Sequence, residues 1–133
     1  MAELLVPSSP GELIDKITIL EIKSQRMTDA AKLRNVRTEL DLLTATWRSS
    51  PFSATDIGPE WAGLRGVNAK LWDIEDRIRD QERDGNFGEV FIGLARAVYV
   101  TNDHRAALKK TINTKLGSTL VEEKSYADYT RKG

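Results

Sequence analysis

The first residues able to do chemistry are Glu12 and Asp15. They stand three positions apart, so on a helix both carboxylates leave the same face. Hard cations such as Mg²⁺ are held by such oxygens together with substrate phosphates. Glu75 and Asp76 form a second acidic pair on another predicted helix. More ordinary roles are open to the first pair: Glu12 as part of a helix cap, Asp15 as an anion near a positive helix start. Glu12 and Asp15 are therefore weak metal candidates, and neither a resident metal nor a cofactor is expected.

Two further groupings could bind. Asn102, Asp103 and Arg105 frame the only histidine, His104, and Arg105 continues into Lys109 and Lys110. That basic face suits a phosphate or an acidic partner, although such faces are usually just solvated. A lone histidine excludes a histidine-based metal cluster within one chain. Asn68, Trp72, Glu75 and Arg79 follow 4, 3, 4 spacing and form one helical stripe. A Trp within a polar stripe is a typical interface anchor. Equally, Trp72 could pack beneath another helix of the same chain. Glu75 and Arg79 are also an ordinary i, i+4 pair worth about 0.3 kcal/mol.

Enzyme signatures are partial or missing. Glu12-Leu13-Ile14-Asp15 is similar to the first half of the acidic pattern of all-α nucleotide pyrophosphatases. The second half is missing, because Glu75-Asp76 is followed by Arg77 and Arg79 rather than by glutamate. Leu13 to Ile17 with Gln25-Arg26 resembles the first helix of α-helical chorismate mutases. Gly11 stands where that helix carries an arginine, and pairing substrate carboxylates needs such a cation. Gly85-Asn86-Phe87-Gly88 follows a predicted helix rather than a strand, so it lacks the context of a nucleotide loop. No Ser-His-Asp set or zinc pattern appears.

Composition narrows the classes further. The chain has 133 residues, near the usual size of one domain, and no cysteine. That excludes disulfides, thiolate metal sites and cysteine nucleophiles, and fits a reducing, cytoplasmic setting. Lys+Arg and Asp+Glu are both 20, so the basic excess of a general nucleic-acid binder is absent. No apolar run approaches the roughly 18 residues of a membrane span. The N-terminus shows no basic segment before its short apolar stretch, so no secretory signal is expected.

The elements that must position these residues read as helices. Ser9-Pro10-Gly11-Glu12 is a capping-box pattern that opens a helix running to about Met27. Thr28 and Asp29 offer a cap for a second helix to about Arg48, with Leu33, Val36, Leu40, Leu43 and Trp47 in a 3, 4, 3, 4 seam. Residues 49–59 read as a loop. Leu64, Val67, Leu71, Ile74 and Ile78 repeat the same spacing on a third helix that stops at Asp84-Gly85. The two matching seams are the best candidates to face each other, with Leu40 and Leu71 in the core. Asn86 with Glu89 resembles another capping box, and Asn102-Asp103 could cap a fifth helix ending at Gly117. Alternatively, residues 88–116 form one helix, with Thr101 and Arg105 interrupting its seam. Val121, Tyr126 and Tyr129 are possible anchors of a tail.

Four ordered blocks are distinctive: Ser9 to Lys23, Leu71 to Arg79, Thr101 to Lys109, and Val121 to Tyr126. Together they resemble a family of small bacterial proteins known only as a domain of unknown function. The resemblance implies a bacterial, intracellular, helical protein and brings no activity, cofactor or catalytic residue.

The expected architecture is all-α: an antiparallel bundle or hairpin of four to five helices with short two-heptad seams, one domain over residues 1–133. Residues 1–8 would be an N-terminal extension and 118–133 a tail. The favoured function is a non-enzymatic helical interaction or oligomerisation module, as a homodimer or with another protein partner. The alternative is a small all-α enzyme acting on a phosphorylated or carboxylated metabolite.

Overall fold

The computed structural model describes residues 3–130, and they are all-α. Helix α1 spans Pro10–Arg26, α2 Ala30–Ser49, α3 Gly58–Asp84 and α4 Glu89–Leu116, with one 3₁₀ turn at Pro51–Ala54. Residues 3–9 and 118–130 form no helix or strand. Residues 1, 2 and 131–133 of the expected terminal segments lie outside the described residues.

Local chemistry sets most boundaries. The Ser9 hydroxyl accepts from the Glu12 N–H at 3.2 Å, and Pro10 occupies the first turn of α1, where a missing N–H costs nothing. Asp29 caps α2 by accepting from the Lys32 N–H at 2.9 Å. Gly85 and Gly117 end α3 and α4 in the left-handed region, both with φ of 68°, where a side chain would be strained.

The second half of the chain departs from one expected reading. α4 is continuous over 28 residues, so there are four α-helices and no break at Asn102-Asp103. Its N-cap is Gly88 rather than Asn86, with no side-chain cap bond. Asn102 and Asp103 sit in mid-helix, where helical hydrogen bonds already use the backbone groups that a cap would serve.

Helix α1 is the hub. It packs against α2, α3 and α4, while α3 and α4 form an antiparallel hairpin. The seams of α2 and α3 therefore do not face each other as expected; each is turned toward another helix. The edge-to-face pair of Trp47 and Trp61, centroids 6.0 Å apart, links the end of α2 to the start of α3. The reason lies in α1, whose Ile14, Ile17, Leu20 and Ile22 are buried on more than one side. A helix apolar over so wide an arc needs several neighbours. The core is Ile14, Ile17, Trp47, Ile57, Leu64 and Ile112, with Leu40 at its margin. Leu71 is only half-buried and lies outside that core, contrary to the seam-based expectation.

Gly11 lets α1 and α4 approach closely. A Cβ there would meet the Lys109 carbonyl oxygen at 2.5 Å and Asn113 Oδ1 at 2.9 Å. In the vacant space the Gly11 N–H donates to Asn113 Oδ1 at 2.7 Å. This contact fixes the register that brings Glu12 and Asp15 opposite Lys109 and Arg105. Among the described residues, no helix is long and apolar enough to cross a membrane.

Candidate functional site

The junction of α1, α3 and α4 holds a polar layer inside an apolar core. Asp15 is 0% exposed. Its Oδ1 accepts from Asn68 Nδ2 and from Arg105 Nε, both at 2.9 Å, while a second Arg105 nitrogen donates to Oδ2. Asn68 Nδ2 also donates to Thr18 Oγ1 at 2.9 Å, and the Thr18 hydroxyl donates to the Asp15 carbonyl at 2.8 Å. A bidentate guanidinium–carboxylate pair is strong and directional, which locks the Arg105 orientation. The Asp15 bond holds the Arg105 charge above its ordinary range, against the opposing effect of burial. One turn before Arg105, the Thr101 hydroxyl is buried without a hydrogen-bond partner.

One turn outward, the same helices carry a second ion pair. Glu12 meets Lys109 Nζ at 2.6 Å, and Lys109 also holds Glu122 of the C-terminal segment at 2.9 Å. Lys124 lies 3.4 Å from the same Glu122 carboxylate. The Lys109 side chain is only 11% exposed. Burial works against its charge, but hydrogen bonds to Glu12 and Glu122 outweigh that and hold its pKa above the ordinary lysine value. Lys109 in turn holds the Glu122 carboxyl below the ordinary carboxylate range. Glu12, Asn102, Arg105, Lys109, Glu122 and Lys124 line an open cleft of about 250 Å³.

The expected candidates are thus redistributed. Arg105 and Asn102 line the cleft, and Asn68 is buried behind it. Asp103, between Asn102 and Arg105 in sequence, does not line the cleft; it lies beside Tyr129, whose ring meets Tyr99 edge-on at 5.1 Å. The stripe through Trp72 does not act as one surface. Asn68 turns inward, Trp72 is half-buried with the Arg26 guanidinium 5.9 Å from its ring centre, and Glu75 and Arg79 pair on the outside at 3.4 Å. The 4, 3, 4 spacing keeps all four on one arc of the helix, and what changes along it is the cover, from buried Asn68 to exposed Arg79. The carboxylates of Glu12 and Asp15 turn to Lys109 and Arg105, while the Glu12 N–H keeps its place in the Ser9 cap. Among the described residues no three metal-ligating side chains gather.

Lys109 was visible as part of the basic face. Glu122 and Lys124 read as an ordinary tail, because an irregular segment has no periodicity from which to infer its direction. Three of the four distinctive blocks, those around Glu12, Arg105 and Glu122, meet at this cleft.

A second hollow, of about 460 Å³, lies between the N-terminal segment and helices α1 and α2. Leu13, Leu42, Leu43, Trp47 and Phe52 line it, together with Leu4, Leu5 and Val6. These last three remain 94%, 88% and 76% exposed.

Among the described residues, four helices, three of which meet at the Asp15–Arg105 pair behind a small charged cleft, define an all-α protein with a preorganised polar cluster. The chain belongs to DUF6165, a family of unknown function, which matches residues 4–131. No curated protein and no solved structure matches it.

Proposed function

We propose that the protein is a binding module for a small anionic metabolite, a carboxylate or phosphate, seated in the cleft between α1, α4 and the C-terminal segment. The observation that carries this reading is Lys109, a nearly buried ammonium shared between Glu12 on α1 and Glu122 on the C-terminal segment. Arg105, held in orientation by Asp15, and Lys124 add two more cations around the same space. A cleft of about 250 Å³ is below the usual size for drug-like ligands, which favours a small metabolite. The carboxylates at the cleft are all ion-paired, which supports binding over general acid–base catalysis. A cytoplasmic setting goes with this reading and is supported by the cysteine-free sequence.

The test is titration of the ¹⁵N-labelled full chain with succinate and with inorganic phosphate. Chemical-shift changes should centre on Asn102, Arg105 and Lys109, and Lys109→Met should remove them while circular dichroism stays helical. Shifts absent for both anions, or unaltered by Lys109→Met, would refute the reading.

A second reading, a self-associating interaction module, has its own support. Leu4, Leu5 and Val6 are a nearly bare apolar segment beside an apolar hollow that they only partly cover. Reciprocal seating of this segment in the hollow of a second copy would bury it around a two-fold axis. Sedimentation equilibrium at micromolar concentration should show a dimer that Leu5→Ser weakens. A monomer at 100 micromolar (about the upper end of ordinary biochemical use) excludes a dimer of even micromolar affinity.

A further inference from the structure

We infer that Glu122 is a built-in occupant of the anion site, and that residues 118–130 form a strap which a carboxylate ligand must displace. The inference rests on the cleft being an anion site and adds the ligand class and its regulation.

Gly117 turns the chain back at the end of α4, and the strap then runs along α4 toward its middle. Glu122 meets Lys109, Glu123 lies 3.9 Å from Lys110, and Tyr129 reaches Tyr99 and Asp103. Apart from Lys109, these are contacts of exposed side chains. Residues 119–130 are all exposed, including Leu120, Val121, Tyr126 and Tyr129. Leu120, Val121 and Tyr129 stay 47%, 40% and 52% exposed, so lifting the strap uncovers only part of their apolar surface, the main cost that would keep it seated. Its one strong attachment is the charge-assisted bond from Lys109 to Glu122.

The seated group identifies what replaces it. Arg105, Lys109 and Lys124 supply three positive charges; Asp15, Glu12 and Glu122 supply three negative ones. The cluster is neutral with the strap seated, and because Lys124 leaves together with Glu122 it stays neutral when the strap lifts. A carboxylate reproduces the geometry that Lys109 already satisfies with Glu122. The preferred ligand is therefore a small carboxylate.

The experiment compares the full chain with Glu122→Gln and Tyr129→Ala, using succinate and inorganic phosphate as probes. Glu122→Gln should bind succinate about tenfold more tightly, as for a site open only a tenth of the time in the parent chain. Tyr129→Ala, which loosens the far end of the strap, should shift affinity the same way by less. In the parent chain, succinate should raise amide exchange across residues 118–130 as the strap leaves. Equal affinities in parent and Glu122→Gln, with binding present in both, would overturn the strap and leave the anion site standing. A lack of binding in either folded protein would overturn both. Phosphate binding more tightly than succinate in Glu122→Gln would overturn the carboxylate assignment.

Discussion

Replacing Arg105 with methionine leaves the Asp15 carboxylate in the core with Asn68 as its remaining side-chain donor. Removing one partner of a buried pair costs about 3–5 kcal/mol, because the other charge is stranded. The Arg105 side chain is 30% exposed, so water enters from that side and places the loss near the bottom of the range. A loss of about 3 kcal/mol at a urea slope of about 1.5 kcal/mol per molar moves the unfolding midpoint down by about 2 M. The assay is urea denaturation followed by circular dichroism at neutral pH. Adding Asp15→Asn removes the stranded charge and should restore about half of the loss, so the two changes are strongly non-additive. A midpoint shift below about 0.3 M for Arg105→Met would mean that the pair contributes nothing, as for an exposed ion pair. Strict additivity in the double variant would equally refute the coupling.

Gly11→Ala should lower stability by about 1–3 kcal/mol in thermal melts, since the new methyl meets backbone rather than a movable side chain. The helix-propensity gain of up to about 1 kcal/mol does not offset this. Leu64→Ala should cost about 2–5 kcal/mol in chemical denaturation, and Leu71→Ala clearly less, reversing the ranking that the seams alone suggest. Millimolar Mg²⁺ should leave the melting temperature within about a degree, because Glu12 and Asp15 are already bonded to cations; a site filled to 100 times its dissociation constant would add about 2.7 kcal/mol. Strap docking should depend on pH in a definite direction. The Glu122 carboxyl lies below its ordinary 4.5, so docking is present above that value and is lost as pH falls through the lowered one. Lys109, facing Glu12, Asp15 and Glu122, lies above its ordinary 10.5, so its hold persists up to that value and fails only beyond it. Amide exchange across 118–130 should therefore show protection over the intervening range and lose it in acid.

Helix ends were legible because their causes are local. Ser9, Asp29, Gly85 and Gly117 each satisfy or release backbone groups within a few residues. Asn86 misled because Gly88 begins the helix instead, and a capping pattern says nothing of whether the chain uses it. Equal seams on α2 and α3 showed that each has an apolar face but could not name its partner. The broader apolar arc of α1, from Ile14 to Ile22, was the better guide to the hub. Thr101 and Arg105, read as interruptions of the α4 seam, are where a polar layer crosses the core; they break the seam because Asp15 and Asn68 wait opposite. The cleft was half legible, through Arg105 and Asn102 on a regular helix. Its other half hangs on Glu122 and Lys124, whose positions depend on a turn and on contacts with residues far away in the chain.

The bonds that assemble the cleft span long stretches of sequence. Asp15 and Arg105 are 90 residues apart, and Gly11 and Asn113 are 102 apart. The α3–α4 hairpin closes a turn of a few residues and can form within microseconds. Docking α1 onto it must close a loop of most of the chain, so this protein should fold more slowly than helical bundles built from neighbouring contacts. During synthesis α1 and α2 emerge first and wait for α4 with Ile17 and Ile112 still apart. Over that interval the isoleucine face of α1 is open to chaperones and to other nascent chains. The charged cleft is thus among the last features to appear, and its closure would report that α1 and α4 have found each other.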